Sequence, residues 1–168
     1  RASAIGHGLM ACQFDKRIPE LADNLIRQFN HYTSLADIES GITWYPKARL
    51  IIMDWATHYC IHDATVACVV AALSPQNEWT RNLIQADDIL AQRPVSIGGI
   101  QTNIVKAQHI LYDGAVSTLE YFPQGPKVAS FALNLAGNDT AVTVDVHAMQ
   151  AALGDVLARY GLPWQPYM

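Results

Sequence analysis

The chain has 168 residues, 51% of them hydrophobic and 15% charged, and a formal net charge of −4. That apolar content suffices for a buried core and excludes an intrinsically disordered chain, while the length fits one domain or two small lobes sharing a core. Fifteen acidic against eleven basic residues exclude nucleic-acid binding driven by bulk charge, so any nucleic-acid partner must be argued from particular residues.

The punctuation predicts helices almost throughout. Pro19 to Tyr32 places Leu21, Leu25 and Phe29 on one helical face. A second helix is predicted over Tyr45 to Cys60, with Pro46 in its first turn and Leu50, Ile51 and Trp55 following. Asp63 is a candidate N-cap for the apolar run Ala64 to Leu73, which is far shorter than the roughly 20 residues of a membrane span and reads as a buried core helix. Ser74-Pro75 reads as a cap and first-turn proline launching a helix through Trp79, Leu83, Ala86 and Leu90. After the break at Gly98-Gly99, Ile100, Ile104, Ala107 and Leu111 share a face. Gly125-Pro126 starts a helix with Val128, Phe131, Ala132 and Leu135 inward, and Gly137-Asn138 ends it. An extended piece, Ala141 to Val144, meets Asp145, and a last helix runs to Leu153. Val142 to Val146 is the only strand-like stretch, and one strand makes no sheet. The expected fold class is all-α, seven or eight helices, divided into an N-terminal helical region (1–62) and a core (63–168).

The three cysteines, Cys12, Cys60 and Cys68, are too few and odd in number for a disulfide framework, which points to a reducing, cytoplasmic compartment. No basic stretch followed by an apolar one opens the chain, so no signal peptide is expected. His58 and His62 could share a helix face as metal ligands, but a helix ending near Cys60 breaks that geometry. No metal or other cofactor is expected.

Two local patterns carry chemistry. Lys127, in Gly125-Pro126-Lys127, falls in the first turn of a helix. The positive end of the helix dipole disfavours the ammonium there, and partial burial would disfavour it further; the neutral amine is a nucleophile. The plain alternative is a solvated lysine at a helix end. Asp145 sits where an extended stretch turns into a helix, so its carboxylate either caps that helix or faces a cleft, where it can orient a nucleophile or stabilise a developing cation.

Further motifs stand in register with these two. Leu73-Ser74-Pro75-Gln76, then Lys106-Ala107 within a helix, then Gly125-Pro126-Lys127-Val128-Ala129, then Val144-Asp145-Val146-His147 resemble, in that order, the helix-hairpin-helix DNA glycosylase superfamily. The nearest branch in pattern is the endonuclease III group. The resemblance spans residues 64–153, and the eighteen positions from Lys127 to Asp145 suit it. It implies two helical lobes with a cleft between them and a partner in double-stranded DNA, with no membrane. It also implies that Lys127 attacks C1′ of a flipped damaged or modified nucleotide to form a Schiff base. Asp145 would activate that amine and stabilise the cationic sugar, Gln76 would fill the gap left by the extruded base, and His147 would be supporting structure. The chain departs from the family hairpin at Pro123, which replaces a glycine, and at Pro126, which removes an N–H near Gly125, where the backbone would approach a DNA phosphate.

Other polar and aromatic residues carry two readings each. Asn77 and Asn82 offer amides for a base edge, or polar caps. Arg49, Arg81 and Lys106 are candidate phosphate contacts, or solvated side chains. Trp44-Tyr45 and Tyr121-Phe122 could stack on bases, whereas Trp79 lies on the apolar face of its helix and reads as core. The leading functional expectation is base excision by a glycosylase with lyase activity. The rivals are a base-modifying enzyme on the same fold, of the kind found in bacterial viruses, adding an amino acid or amine to an activated thymine, and a DNA-binding module without catalysis.

Overall fold

The computed structural model describes residues 18–113, 125–144 and 146–153. They form seven helices: α1 (Ile18–Tyr32), α2 (Leu35–Tyr59), α3 (Asp63–Leu73), α4 (Trp79–Leu90), α5 (Gln101–Asp113), α6 (Pro126–Leu135) and α7 (Val146–Leu153). The fold class is all-α. Residues 141–144 form no strand with any described residue, so the strand-like alternation around Val142 is a connecting segment. The described residues fall into two compact units, one within 39–143 and one joining 18–38 with 144 and 146–153. Among the described residues no single helix is long and apolar enough to cross a membrane.

The unit of residues 39–143 is built around α3. Every residue from Thr65 to Leu73 is buried, because α4, α5 and α6 all pack against this helix. A helix apolar on all sides must be enclosed, and small residues such as Ala67, Cys68 and Ala71 let its neighbours approach closely. Ile104, Ala107 and Ile110 of α5 and Ala129, Ala132 and Leu135 of α6 supply the opposing faces. Enclosing a side chain such as Leu73 or Ile110 stabilises the fold by about 1.5–3 kcal/mol. Trp79 packs on this core, as its place on the apolar face predicts, whereas Ile100 stays outside it, 41% exposed.

Three helix starts differ from the sequence expectation. The helix predicted to open at Tyr45 opens at Leu35, with Pro46 in its interior. Ser34 and Asp37 form a reciprocal cap: Ser34 N donates to Asp37 Oδ2 at 2.9 Å and Asp37 N to Ser34 Oγ at 3.2 Å. That cap outweighs the break a proline signals. α3 is capped one residue earlier than expected, by His62, whose Nδ1 accepts from Ala64 N at 3.2 Å. Ser74 ends α3 instead of starting the next helix, and Glu78 caps α4 by accepting from Thr80 N and Arg81 N. The starts of α5 and α6, and the end of α6 at a left-handed Gly137 (φ +94°), follow the predicted punctuation.

In the other unit, α1 packs on α7. Asn24 is buried and donates from Nδ2 to the Ala152 carbonyl at 2.9 Å. Leu25 and Phe29, predicted to face inward, are exposed while Leu21 is half-buried. The face used is the one whose amide satisfies an α7 carbonyl.

Candidate functional site

The end of α3, the start of α4 and the approach to α5 enclose a pocket of about 230 Å³. It brings together three of the residues singled out from sequence: Gln76, Asn77 and Arg81. The loop exists because α3 leaves its last carbonyls without helical partners. Asn82 Nδ2 donates to Val70 O at 3.1 Å, Ser74 Oγ to Ala71 O at 2.8 Å and Asn77 Nδ2 to Leu73 O at 3.0 Å. Asn82 thus donates to the backbone, and Asn77 Nδ2 serves both the Leu73 carbonyl and the Gln85 side chain. Gln76 is left at a positive φ of 55° with its side chain exposed.

Two pocket residues, Gln85 and Asn103, carried no signal in the sequence pattern, and Gly99 was marked only as a chain break. Gln85 reads as a polar position of an amphipathic helix, yet it is buried, accepting from Asn77 Nδ2 at 2.7 Å and donating to Gly98 O at 2.9 Å. Gly99 permits this closeness, since a Cβ there would lie 2.3 Å from Gln85 Nε2. Asn103 closes the wall, with Nδ2 3.4 Å from the Pro75 carbonyl. Only distant partners make these residues a site, and no local periodicity encodes them.

Lys127 occupies the first turn of α6, as predicted, but its side chain is exposed rather than partly buried. Pro126 is the first residue of α6 and Gly125 its N-cap, with no side-chain cap bond, whereas α3 and α4 both carry side-chain caps. Among the described residues no side chain caps the N-terminus of α6, where the positive end of the helix dipole lies beside an exposed amine. Lys106 lies half-buried on α5, and desolvation pulls its pKa below the ordinary value. Neither lysine lines the pocket of Gln76 and Arg81.

Asp145 lies outside the described residues, as do Tyr121, Phe122 and Pro123 of the expected hairpin. His147 falls in α7, and its side chain lies outside the description. Trp44 is engaged by protein aromatics, with ring centroids 4.9 Å from Tyr45, 5.0 Å from Trp79 and 6.0 Å from Phe131. Those contacts belong to packing rather than to an open stacking platform. Among the described residues no group of three or more His, Cys, Asp or Glu side chains is placed to hold a metal. A family model described as a family of unknown function (DUF7178) matches residues 11–161. No curated protein and no solved structure matches the chain.

Proposed function

The chain belongs to the DUF7178 family, and we propose that it is a DNA base-excision enzyme of the helix-hairpin-helix glycosylase type, with Lys127 as nucleophile and Asp145 as its carboxylate partner. The observation that carries this reading is the uncapped N-terminus of α6 with an exposed Lys127 in its first turn. A helix start of this kind attracts a phosphate beside the amine. Arg81 and Gln76, exposed at one pocket, support the reading as contacts to a duplex from which a base has been turned out.

In this mechanism the Lys127 Nζ lone pair attacks C1′. The bond from C1′ to the base nitrogen breaks, its electron pair leaving with the base, which takes up a proton. Opening of the sugar ring and loss of the amine protons give the Schiff base, from which removal of a C2′ proton expels the 3′ phosphate. Asp145 accepts a proton from the amine and offsets the positive charge that develops on the sugar.

The test mixes the protein with short duplexes carrying a panel of damaged and modified bases, adds borohydride and reads intact masses. A covalent protein–DNA adduct that Lys127→Ala abolishes is the expected result. Base release without an adduct would assign a glycosylase lacking lyase chemistry. A mass increase on an intact nucleotide would replace excision by base modification. Duplex binding that Lys127→Ala leaves unchanged, with no chemistry on any base, would reduce the protein to a binding module.

A further inference from the structure

We infer that the outer face of α2 is a self-association surface, on which two copies of this chain pair antiparallel about Leu50. The inference does not depend on the chemistry proposed for Lys127. α2 buries Ala48 and Ile52 in the core of the 39–143 unit, yet its opposite side is apolar as well. Ile42, Leu50 and Met53 are 71%, 66% and 48% exposed, and their spacing sets them along one stripe of the helix. A helix that is apolar on both sides asks for cover on both.

The charges beside this stripe select what covers it. Lys47 and Asp54 are exposed, and neither forms an ion pair among the described residues. Round the helix from Leu50 both lie on the same side, by about 60° and about 40°. Along it, Lys47 sits about 4.5 Å toward the N-terminus and Asp54 about 6 Å toward the C-terminus. A two-fold axis crossing the helix at Leu50 keeps each edge on its own side and reverses the direction along it. Lys47 of each protomer then meets the partner's Asp54, offset by only about 1.5 Å along the axis. The same rotation sets Leu50 on its own copy. It also brings Ile42 level with the partner's Thr57, whose hydroxyl is already spent on the Met53 carbonyl at 2.9 Å. A parallel pair would instead lay both charges against the apolar edge that carries Ile42 and Met53. The stripe thus supplies the contact, and the charge pairs choose a second copy and its direction.

The experiment is sedimentation velocity over a range of protein concentrations, with thermal melting alongside. It compares the wild type with Leu50→Glu, Lys47→Asp, Asp54→Lys and the double swap of Lys47→Asp with Asp54→Lys. All three positions are exposed, so the fold is expected to survive each change. The expected result is a wild-type dimer that dissociates on dilution and a Leu50→Glu monomer. Each single swap sets like charges together and weakens the dimer about tenfold or more. The double swap restores opposite charges and recovers it. A wild type monomeric at every concentration would overturn the inference. So would a dimer that Leu50→Glu leaves intact, or a double swap no tighter than the single ones. A monomer whose melting temperature falls with Leu50→Glu would show that another part of the same chain covers the face, and would equally overturn it.

Discussion

Asp88 is only 6% exposed, yet its carboxylate has four donors. Ser96 Oγ and N donate to Oδ2 at 2.6 and 2.8 Å, and Arg93 Nη2 and Nε to Oδ1 at 3.1 and 3.2 Å. The Ser96 bonds, side chain first, and then Arg93 hold the Asp88 pKa below the ordinary 3.8. A depressed folded-state pKa contributes stability that is present above the unfolded value and lost as pH falls through the folded one. Ser96→Ala is therefore expected to raise the Asp88 pKa toward 3.8, to lower stability at neutral pH, and to flatten the acid limb of the stability curve. Carboxyl carbon shifts and urea midpoints from neutral pH down to about pH 2 read both effects. A deficit as large in strong acid as at neutral pH would show that Ser96 acts through packing instead. This anchor lies two residues before the Gly98-Gly99 wall of the amide pocket.

At the scale of the element, α2 is the instructive case. Its 25 residues contain a proline that has no N–H for the Ile42 carbonyl and crowds the preceding turn. The helix passes through because the Ser34–Asp37 cap nucleates it upstream, while Ala48 and Ile52 anchor it by burial downstream. Pro46 itself is exposed, so an alanine there loses no packing. Pro46→Ala is expected to stabilise the protein by about 1–3 kcal/mol, the restored hydrogen bond and relieved crowding outweighing a freer unfolded chain. Chemical denaturation measures it; a destabilised variant would show that the packing of α2 needs the proline. The start of α6 shows the opposite economy. Gly125-Pro126 defines it with no capping side chain among the described residues, at the end where the chemistry is proposed for Lys127.

For the molecule as a whole, the enclosure of α3 sets what can be reached. Cys68 is fully buried at the centre of the 39–143 unit, and desolvation pushes its thiol pKa up to about 11. Cys60, at the 119° turn between α2 and α3, is exposed. The thiolate is the reactive form, so alkylation at neutral pH should modify Cys60 directly and Cys68 only through global opening of this unit. Mass mapping of labelled peptides against urea is expected to give Cys68 a labelling rate that rises with the full denaturant dependence of unfolding. Labelling of Cys68 as fast as Cys60 without denaturant would mean that the helices around α3 part locally.

Local chemistry determined which runs become helices, that they form an all-α fold, and where α5 and α6 begin and end. Apolar spacing, first-turn proline and terminal glycine act within a few residues of the structure they create, so they are legible in one chain. The tertiary structure alone decided which polar residues go inside. Asn82 and Gln85 of α4 are buried, one feeding an α3 carbonyl left over at a helix end and the other bridging Asn77 to Gly98. Asn24 is buried beside exposed Leu25 for the same kind of reason. Of the candidate site, the lysine and its helix end were readable, whereas the roles of Gln85 and Asn103 were not. Buried backbone groups must find partners, and when those partners lie far along the chain no local pattern names them.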